Sequence, residues 1–419
     1  MAQSKRKWFE HLSYELPEGI RQENMLLHSN LNTCSDSIKG DVYSDSELLK
    51  LGKHIDELPY ETVFKTSNGN THTIVRDRRK LSSKIVPVPR YGLSCRIPSC
   101  YFDASSTERI QDHYSFSGAQ DKFTAIVERI GDDIILHIPD RQREIGNVIV
   151  KPWAREYDFQ PENEYFSMRI MEECGFDTAR TALFSAETDI GIKHMHLCVE
   201  RFDIDFNVVP HLVKFKVRQV AELMGLPTNS VGKYALTTKE LFSFIKKTLA
   251  PNVQSEFAMR YLFGYILGNG DMHAKNFSII YNTATETWML SPVYDMLNTR
   301  VYGFENHLCL PLGEREDRHS PDPFVLIDFL SDFLDPRGFE ILYERLQKFL
   351  DTIQLVGAEI QKITEEELPE ENLKSSSARA EFLHRLSESA QSEAIWFLKT
   401  IEQYYLPNQE EPNSFEQTI

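Results

Sequence analysis

The stretch GNGDMHAKNFSIIY, Gly268 to Tyr281, constrains the fold of this chain more than any other. It follows the apolar run SEFAMRYLFGYIL and precedes a polar NTATE and then TWMLSPV. The run before it has the length and periodicity of a helix, Gly-Asn-Gly stops that helix, and FSIIY and TWMLSPV form the two arms of a β-hairpin. Asp271, His273, Lys275 and Asn276 are thereby confined to one helix-to-strand connection. The hairpin also carries a second acid, Asp295, back toward Asn276, 19 residues earlier. Such crowding of polar groups beside a buried strand requires either satisfied partners or a chemical task.

Elsewhere the periodicity changes once, near residue 206. From about Tyr114 to Phe202 the pattern is of strands with one helix. FTAIVER and DIILHIP read as a hairpin around Gly131-Asp132-Asp133, and NVIVKPW is a short strand stopped by Pro152. QPENEYFSMRIMEECGF has Pro161 at a helix start and Gly175 at its end, and HLCVERFDI returns to strand. After Phe206 the pattern is helical, with KFKVRQVAELMGL, TTKELFSFIKKTLA and SEFAMRYLFGYILG as the clearest segments. TEEELPEEN is read as an acidic, solvated connection. The last long helix places Leu383, Leu386, Ala390, Ala394, Phe397 and Ile401 on one face. Residues 1–110 are harder to read, with short helices expected at Lys5 to Leu12 and over 45–58. The expected organisation is a variable region 1–110, a β-rich lobe 111–205, a helical lobe 206–405 and a frayed tail 406–419.

A formal net charge of -17 over 419 residues opposes general nucleic-acid binding, which needs a basic face. No apolar run approaches the ~20 residues that span a bilayer, and the charged start MAQSKRKWFEHL lacks a signal-peptide core, so a cytoplasmic location is expected. The six scattered cysteines imply buried thiols rather than a zinc site or disulfide framework.

Four stretches carry candidate chemistry. Asp271 and Asn276 stand at the offset of the catalytic Asp and the metal-binding Asn of protein-kinase loops. An ordinary helix-to-strand loop with a turn-forming Asp competes with that reading. Asp295 fits a second metal ligand beside Asn276, since Mg²⁺ takes carboxylate and amide oxygens. As an isolated residue it would be a helix cap. In YSFSGAQDKF the small residues around Ser117, Gly118 and Ala119 leave backbone N–H groups open to phosphate. Gly-containing turns before strands are common, however, and Lys122 has the commoner reading of a surface lysine. Lys151 ends an apolar strand, where a charge needs a partner such as phosphate. Glu162 and Glu164 on the following helix are candidate carboxylate partners, though acids in a first helical turn also favour the macrodipole. The order of these parts along the chain is that of a bilobal kinase.

With SFSGAQDKF, IVKPW, PENEYFSMRI, VERFD, GDMHAKNFS and LSPVYD in hand, the chain resembles the HipA family of bacterial Ser/Thr protein kinase toxins over about residues 114–300. The resemblance implies an α+β, protein-kinase-like fold related to phosphoinositide kinases, with a β-rich N-lobe and an all-helical C-lobe. It implies Asp271 as catalytic base, His273 and Asn276 at the phosphate and metal site, and Asn276 with Asp295 as Mg²⁺ ligands. Lys151 would contact ATP phosphates, the loop Ser117, Gly118, Ala119, Gln120 and Lys122 would cover them, and Glu200, Arg201 and Phe202 would form the adenine-binding hinge. Ser115 and Ser117 are the implied autophosphorylation sites, where a phosphate's added charge would silence the site. ELPEG at 15–19 stands close to the start, as in the shorter HipT-type members. The implied partners are a protein substrate such as an aminoacyl-tRNA synthetase, a HipB-like helix-turn-helix antitoxin and a small HipS-like protein, with no direct nucleic-acid or membrane contact. Two alternatives share parts of these motifs: a small-molecule or lipid kinase with the GDxHxxN loop, and an inactive kinase-like binding module.

Overall fold

The computed structural model describes residues 61–65, 71–75, 82–102, 122–140, 144–154, 157–188, 191–204, 216–226, 234, 236–282, 287–304, 308–313, 319–368 and 374–405. The helices expected at Lys5 to Leu12 and over 45–58 lie outside these residues, as do Ser115, Ser117, Gly118, Ala119 and Gln120. Among the described residues no helix is long and apolar enough to cross a membrane. Cys174 and Cys198 are buried thiols.

The chain divides into two compact units, each assembled from separate segments: 1–161, 180–217 and 280–287 form the first, and 162–179, 218–279 and 288–419 the second. In the first unit, β1 (Glu61–Lys65) and β2 (Thr71–Val75) form an antiparallel pair. Six further strands make one mixed sheet: β3 (Leu93–Cys95), β4 (Phe123–Ile130), β5 (Asp133–His137), β6 (Val148–Lys151), β7 (Thr181–Glu187) and β8 (Lys193–Glu200). Their order is β3-β5-β4-β6-β8-β7, antiparallel except for β3 beside β5. Ile130 pairs with Asp133, leaving a two-residue turn in which Gly131 has φ +65°. A positive φ at that position matches the strand twist and is accessible to glycine at little cost. The alternating residues Phe123, Ala125 and Val127 turn one face of β4 into a core that also holds Phe102, Phe184 and Cys198.

In the second unit the expected helix after the β6 strand is α1 (Gln160–Glu173). The segment KFKVRQVAELMGL departs from expectation. It forms a strand, β9 (Lys216–Gln219), and then a single helical turn, α2 (Val220–Leu223). The alternation Lys-Phe-Lys-Val-Arg is period two, and pairing with a neighbouring strand decides in its favour. That neighbour is the expected hairpin, β10 (Ser278–Asn282) and β11 (Thr287–Leu290), which is therefore part of a three-stranded sheet of order β11-β10-β9. Helix α3 (Thr238–Thr248) starts with a capping box in which Thr237 and Glu240 exchange side-chain and backbone bonds. Helix α4 (Pro251–Leu267) is buried at every position from Phe257 to Leu267, as an apolar helix of its kind must be.

After α5 (Pro323–Leu330), helix α6 (Pro336–Glu367) pairs with α7 (Lys374–Tyr404). The acidic TEEE is not a connection but the last turn of α6, where Ile363 and Thr364 are buried. The six apolar positions expected to line α7 are all buried.

Polar pairs hold α1 within the second unit. Asn163 exchanges two hydrogen bonds with the backbone of Asn298, each 2.8 Å, and Tyr165 donates to Glu359 at 2.6 Å. Glu162, 2% exposed, accepts from Arg379 at 3.0 Å, while its Oε2 makes no hydrogen bond among the described residues. Burial raises the Glu162 carboxyl above its usual range, and Arg379 only partly offsets this. A carboxyl raised in this way stabilises the folded protein below its unfolded pKa and loses that contribution as pH rises through the folded value. Arg379→Leu removes the compensating cation, so we expect it to cost about 3–5 kcal/mol near neutral pH. Denaturant unfolding would show the loss, smaller in acid and largely relieved by adding Glu162→Leu.

Candidate active site

Helix α4 ends because Gly268 adopts φ +80°. The Gly268 and Asn269 N–H groups return to the carbonyls of Tyr265 and Gly264 at 3.0 and 2.8 Å, satisfying the last turn. A side chain at Gly268 would fail twice, since a Cβ there would lie 2.6 Å from Arg300 Nε and 2.9 Å from Asn298. Gly264 is equally constrained, because the buried Met272 packs directly against the helix where its Cβ would be. The turn is thus pressed onto α4 rather than projecting from it.

The polar residues then fall into a bonded loop. Asn269, 1% exposed, accepts from the Asp271 N–H at 3.0 Å through Oδ1, and its Nδ2 lies 3.5 Å from the Asp295 carbonyl. One side chain therefore spans from the backbone of the first acid to that of the second. Asn276 donates from Nδ2 to the Asp271 carbonyl at 2.7 Å. With Nδ2 spent on that bond, Oδ1 is the end of the amide that it leaves over. The His273 N–H donates to the Asp271 carbonyl at 2.8 Å, and Asn276 N–H to the His273 carbonyl at 2.9 Å. His273 Nε2 stands 3.7 Å from Asp271 Oδ1, too far for a hydrogen bond, and the Asp271 side chain is 42% exposed. Lys275 contributes its carbonyl, which accepts from the Tyr294 hydroxyl at 3.0 Å, and Tyr294 also meets the Ser278 hydroxyl at 2.7 Å.

Asp295 has φ +52°, in the left-handed region that few non-glycine residues occupy. Its neighbour Val293 is held on both sides, donating to the Asp177 carbonyl at 2.8 Å and accepting from Ala179 at 3.0 Å. Four residues that the sequence reading did not single out complete the site. Thr299 accepts from the Gly270 N–H at 2.8 Å and binds the Gly268 carbonyl. Arg300 caps the Tyr265 and Ile266 carbonyls. Asn298 caps Val301 at 3.0 Å. Tyr234 donates to Asp271 Oδ1 at 3.1 Å and sets its ring edge-on to His273, with centroids 5.6 Å apart. The polar sequence SPVYDMLNTR hinted at the first three, whereas no local signal marks Tyr234.

In the first unit, Lys151 is the last residue of β6, paired with Leu197 of β8, and is 5% exposed. Lys122, for which a surface position was the commoner expectation, is 6% exposed just before β4. Arg201 binds Asp203 with two bonds, 2.9 and 2.6 Å, and reaches the Gly146 carbonyl. The N–H groups of Glu200 and Arg201 donate to the carbonyls of Arg180 and Asn147, and the Glu200 carboxylate accepts from the Val88 N–H at 2.8 Å. Phe202 directly follows Arg201, half-buried. Burial lifts the Glu200 carboxyl, opposed by the Val88 N–H and by Arg180. Glu164 is buried in α1, and Glu162, its neighbour by one turn's fraction, is the residue paired with Arg379. Among the described residues no cluster of three or more His, Cys, Asp or Glu forms a metal site. A cation would instead rely on a mixed amide and carboxylate set.

The profile of the HipA-like C-terminal domain matches residues 114–368. Two curated relatives carry the name "Putative kinase". One, from Haemophilus influenzae, is 32% identical over 215 residues, 49% of this chain and 60% of its own length. The other, Y4dM of Sinorhizobium fredii, is 32% identical over 200 residues, 45% of this chain and 46% of its own. The matched part of this chain thus spans about half to three-fifths of these relatives. Among solved structures, the Shewanella oneidensis MR-1 toxin–antitoxin complex of HipA, HipB and operator DNA matches with a TM-score of 0.50 at 16% identity, covering 95% of this chain and 87% of that one. At that identity the likeness shows a shared α+β fold. The family profile extends over more than half of the chain and includes the whole of the Asp271 loop and Asp295, so the chain belongs to the HipA-like C-terminal domain family.

Proposed function

We propose that this chain is an ATP- and Mg²⁺-dependent Ser/Thr protein kinase of the HipA type. The observation that carries the proposal is the Asn276 amide, tied by Nδ2 to the Asp271 carbonyl beside an accessible Asp271 carboxylate. Phosphoryl transfer needs a carboxylate for the acceptor hydroxyl with an amide oxygen for the metal close by, and this pairing of Asp271 with Asn276 supports that reading.

In this reading the acceptor hydroxyl donates its hydrogen bond to Asp271. As its oxygen bonds to the γ-phosphorus, its proton passes to the Asp271 carboxylate. The bond from the γ-phosphorus to the bridging oxygen breaks, and ADP leaves with that electron pair. Asn276 Oδ1 and the Asp295 carboxylate are oxygen donors of the kind Mg²⁺ prefers, and they would hold it. Bound there, the ion neutralises phosphate charge. The clamp by Asn269 on Asp271 and Asp295, with Val293 doubly held two residues before Asp295, fixes the backbones of the two acids before substrate arrives, which would limit reorganisation during transfer.

Lys151 and Lys122 are the proposed phosphate contacts of the first unit, with the loop from Ser117 to Gln120 proposed to cover the phosphates. Adenine would bind backbone groups of Glu200 to Phe202 other than the Glu200 and Arg201 N–H groups, which serve the sheet. His273 would face the phosphates from its buried position.

The solved HipA is in complex with HipB and operator DNA. By that likeness we propose a toxin role with a HipB-like antitoxin as the neutralising partner; the motif resemblance to the HipA family is the ground for proposing a small HipS-like protein as a second partner and an aminoacyl-tRNA synthetase as substrate. A net charge of -17 suits a basic antitoxin that makes the DNA contacts itself.

Incubation with Mg·ATP is expected to add 80 Da increments to the intact mass, with peptide mapping placing them on Ser115 or Ser117. Transfer of labelled phosphate to lipids or antibiotics, with none to protein, would refute the protein-kinase reading. Asp271→Asn is expected to lower transfer by about 10²-fold or more while the unfolding transition stays put. Asn276→Ala should raise the Mg²⁺ concentration needed for half-maximal ADP release, a shift measurable by titration at fixed ATP.

A further inference from the structure

We propose that Tyr234 holds the acceptor position of this site, so that its phenol is the group an incoming substrate hydroxyl must displace. The inference rests on the kinase reading and deepens it. A general base must lie within about 2.6–3.2 Å of the hydroxyl whose proton it takes. The structure already places one hydroxyl there, with Tyr234 Oη donating to Asp271 Oδ1 at 3.1 Å.

Two further observations make this a positioned contact. The Tyr234 ring stands edge-on to His273, at 71°, so the ring as well as the hydroxyl is oriented against the loop. Three residues later the chain is anchored by the Thr237 capping box. Thr238 Oγ1 then meets Tyr261 Oη and the Leu310 carbonyl, both at 2.9 Å. The tyrosine is thus tethered close to a fixed point, yet it is 46% exposed. An aromatic side chain that gains little from burial and holds the reactive carboxylate is suited to exchange with another hydroxyl. A serine or threonine of a protein substrate offers the same donor with less bulk, and water is the smallest competitor of all.

The test is acceptor-free ATP hydrolysis by the full chain, read as ADP release with Mg²⁺ and no added protein. Tyr234→Phe keeps the ring on His273 and removes only the donor. It is expected to raise kcat for hydrolysis about twofold to tenfold, the range of one hydrogen bond, with KM for ATP unmoved. Tyr234→Leu should move kcat in the same direction, and adding Asp271→Asn to Tyr234→Phe should abolish that gain and lower ADP release by about 10²-fold or more. A tyrosine that merely supports the loop would lower the rate on removal. Unchanged or reduced kcat in Tyr234→Phe, or a change carried only by KM for ATP, overturns the proposal while leaving the kinase reading intact. No ADP release from any form, the unsubstituted chain included, overturns both.

Discussion

The candidate site depends on how helix α4 ends. A helix buried along its last eleven residues cannot leave its terminal carbonyls to water, so each needs a donor from the protein. Gly268 turns into the left-handed region, so that its N–H and that of Asn269 supply backbone donors, and Arg300 supplies guanidinium donors from a segment that follows the hairpin. The Gly268 carbonyl is in turn taken by Thr299. Satisfying one helix terminus therefore draws the chain after Asp295 against the chain before Asp271. Proximity of the two acids' backbones follows from hydrogen-bond completion at α4.

The same requirement explains why the loop is rigid where it is polar. Asn269 and Asn276 use their amides on backbone groups, and Tyr294 ties the Lys275 carbonyl to the hairpin. What they leave exposed is the Asp271 carboxylate. Asp295 sits in a backbone conformation that costs of order 1–3 kcal/mol and persists only when its surroundings hold it. Val293, two residues earlier, provides that restraint through Asp177 and Ala179. Strain at one residue with firm anchors beside it is what the proposed role of Asp295 as a preorganised ligand would require.

The second unit also carries an electrostatic cost away from the loop. Glu162 is buried with one oxygen bonded to Arg379 and the other without a hydrogen bond among the described residues. Desolvation opposes the attraction in such a pair, so its net contribution is small, while removing Arg379 alone would leave an uncompensated buried charge. Asn163, bonded twice to Asn298, links α1 to the segment that follows Asp295. Helix position and site geometry are coupled through these side chains.

Much of this was legible in the amino-acid order. Period-two and period-3.6 patterns marked the hairpin of β4 and β5, the helix α1, the apolar α4 and the buried face of α7, because burial of one face leaves a direct trace in composition. Gly268 announced its turn, and the Asp271 to Asn276 spacing with Asp295 beyond the hairpin named the candidate chemistry. The same signals failed where a segment's neighbours outweighed its own pattern. Lys216 to Gln219 became a strand because a hairpin edge was available to pair with it, and TEEE continued α6 because Ile363 and Thr364 could be buried there. Sequence alone thus determined which residues are the candidates for chemistry and which elements flank them, since spacing and periodicity are local. Only the tertiary structure decided what holds them. Asn269, Thr299, Arg300 and Tyr234 act through contacts 26 to 37 positions away, and nothing local in a chain records a partner that distant.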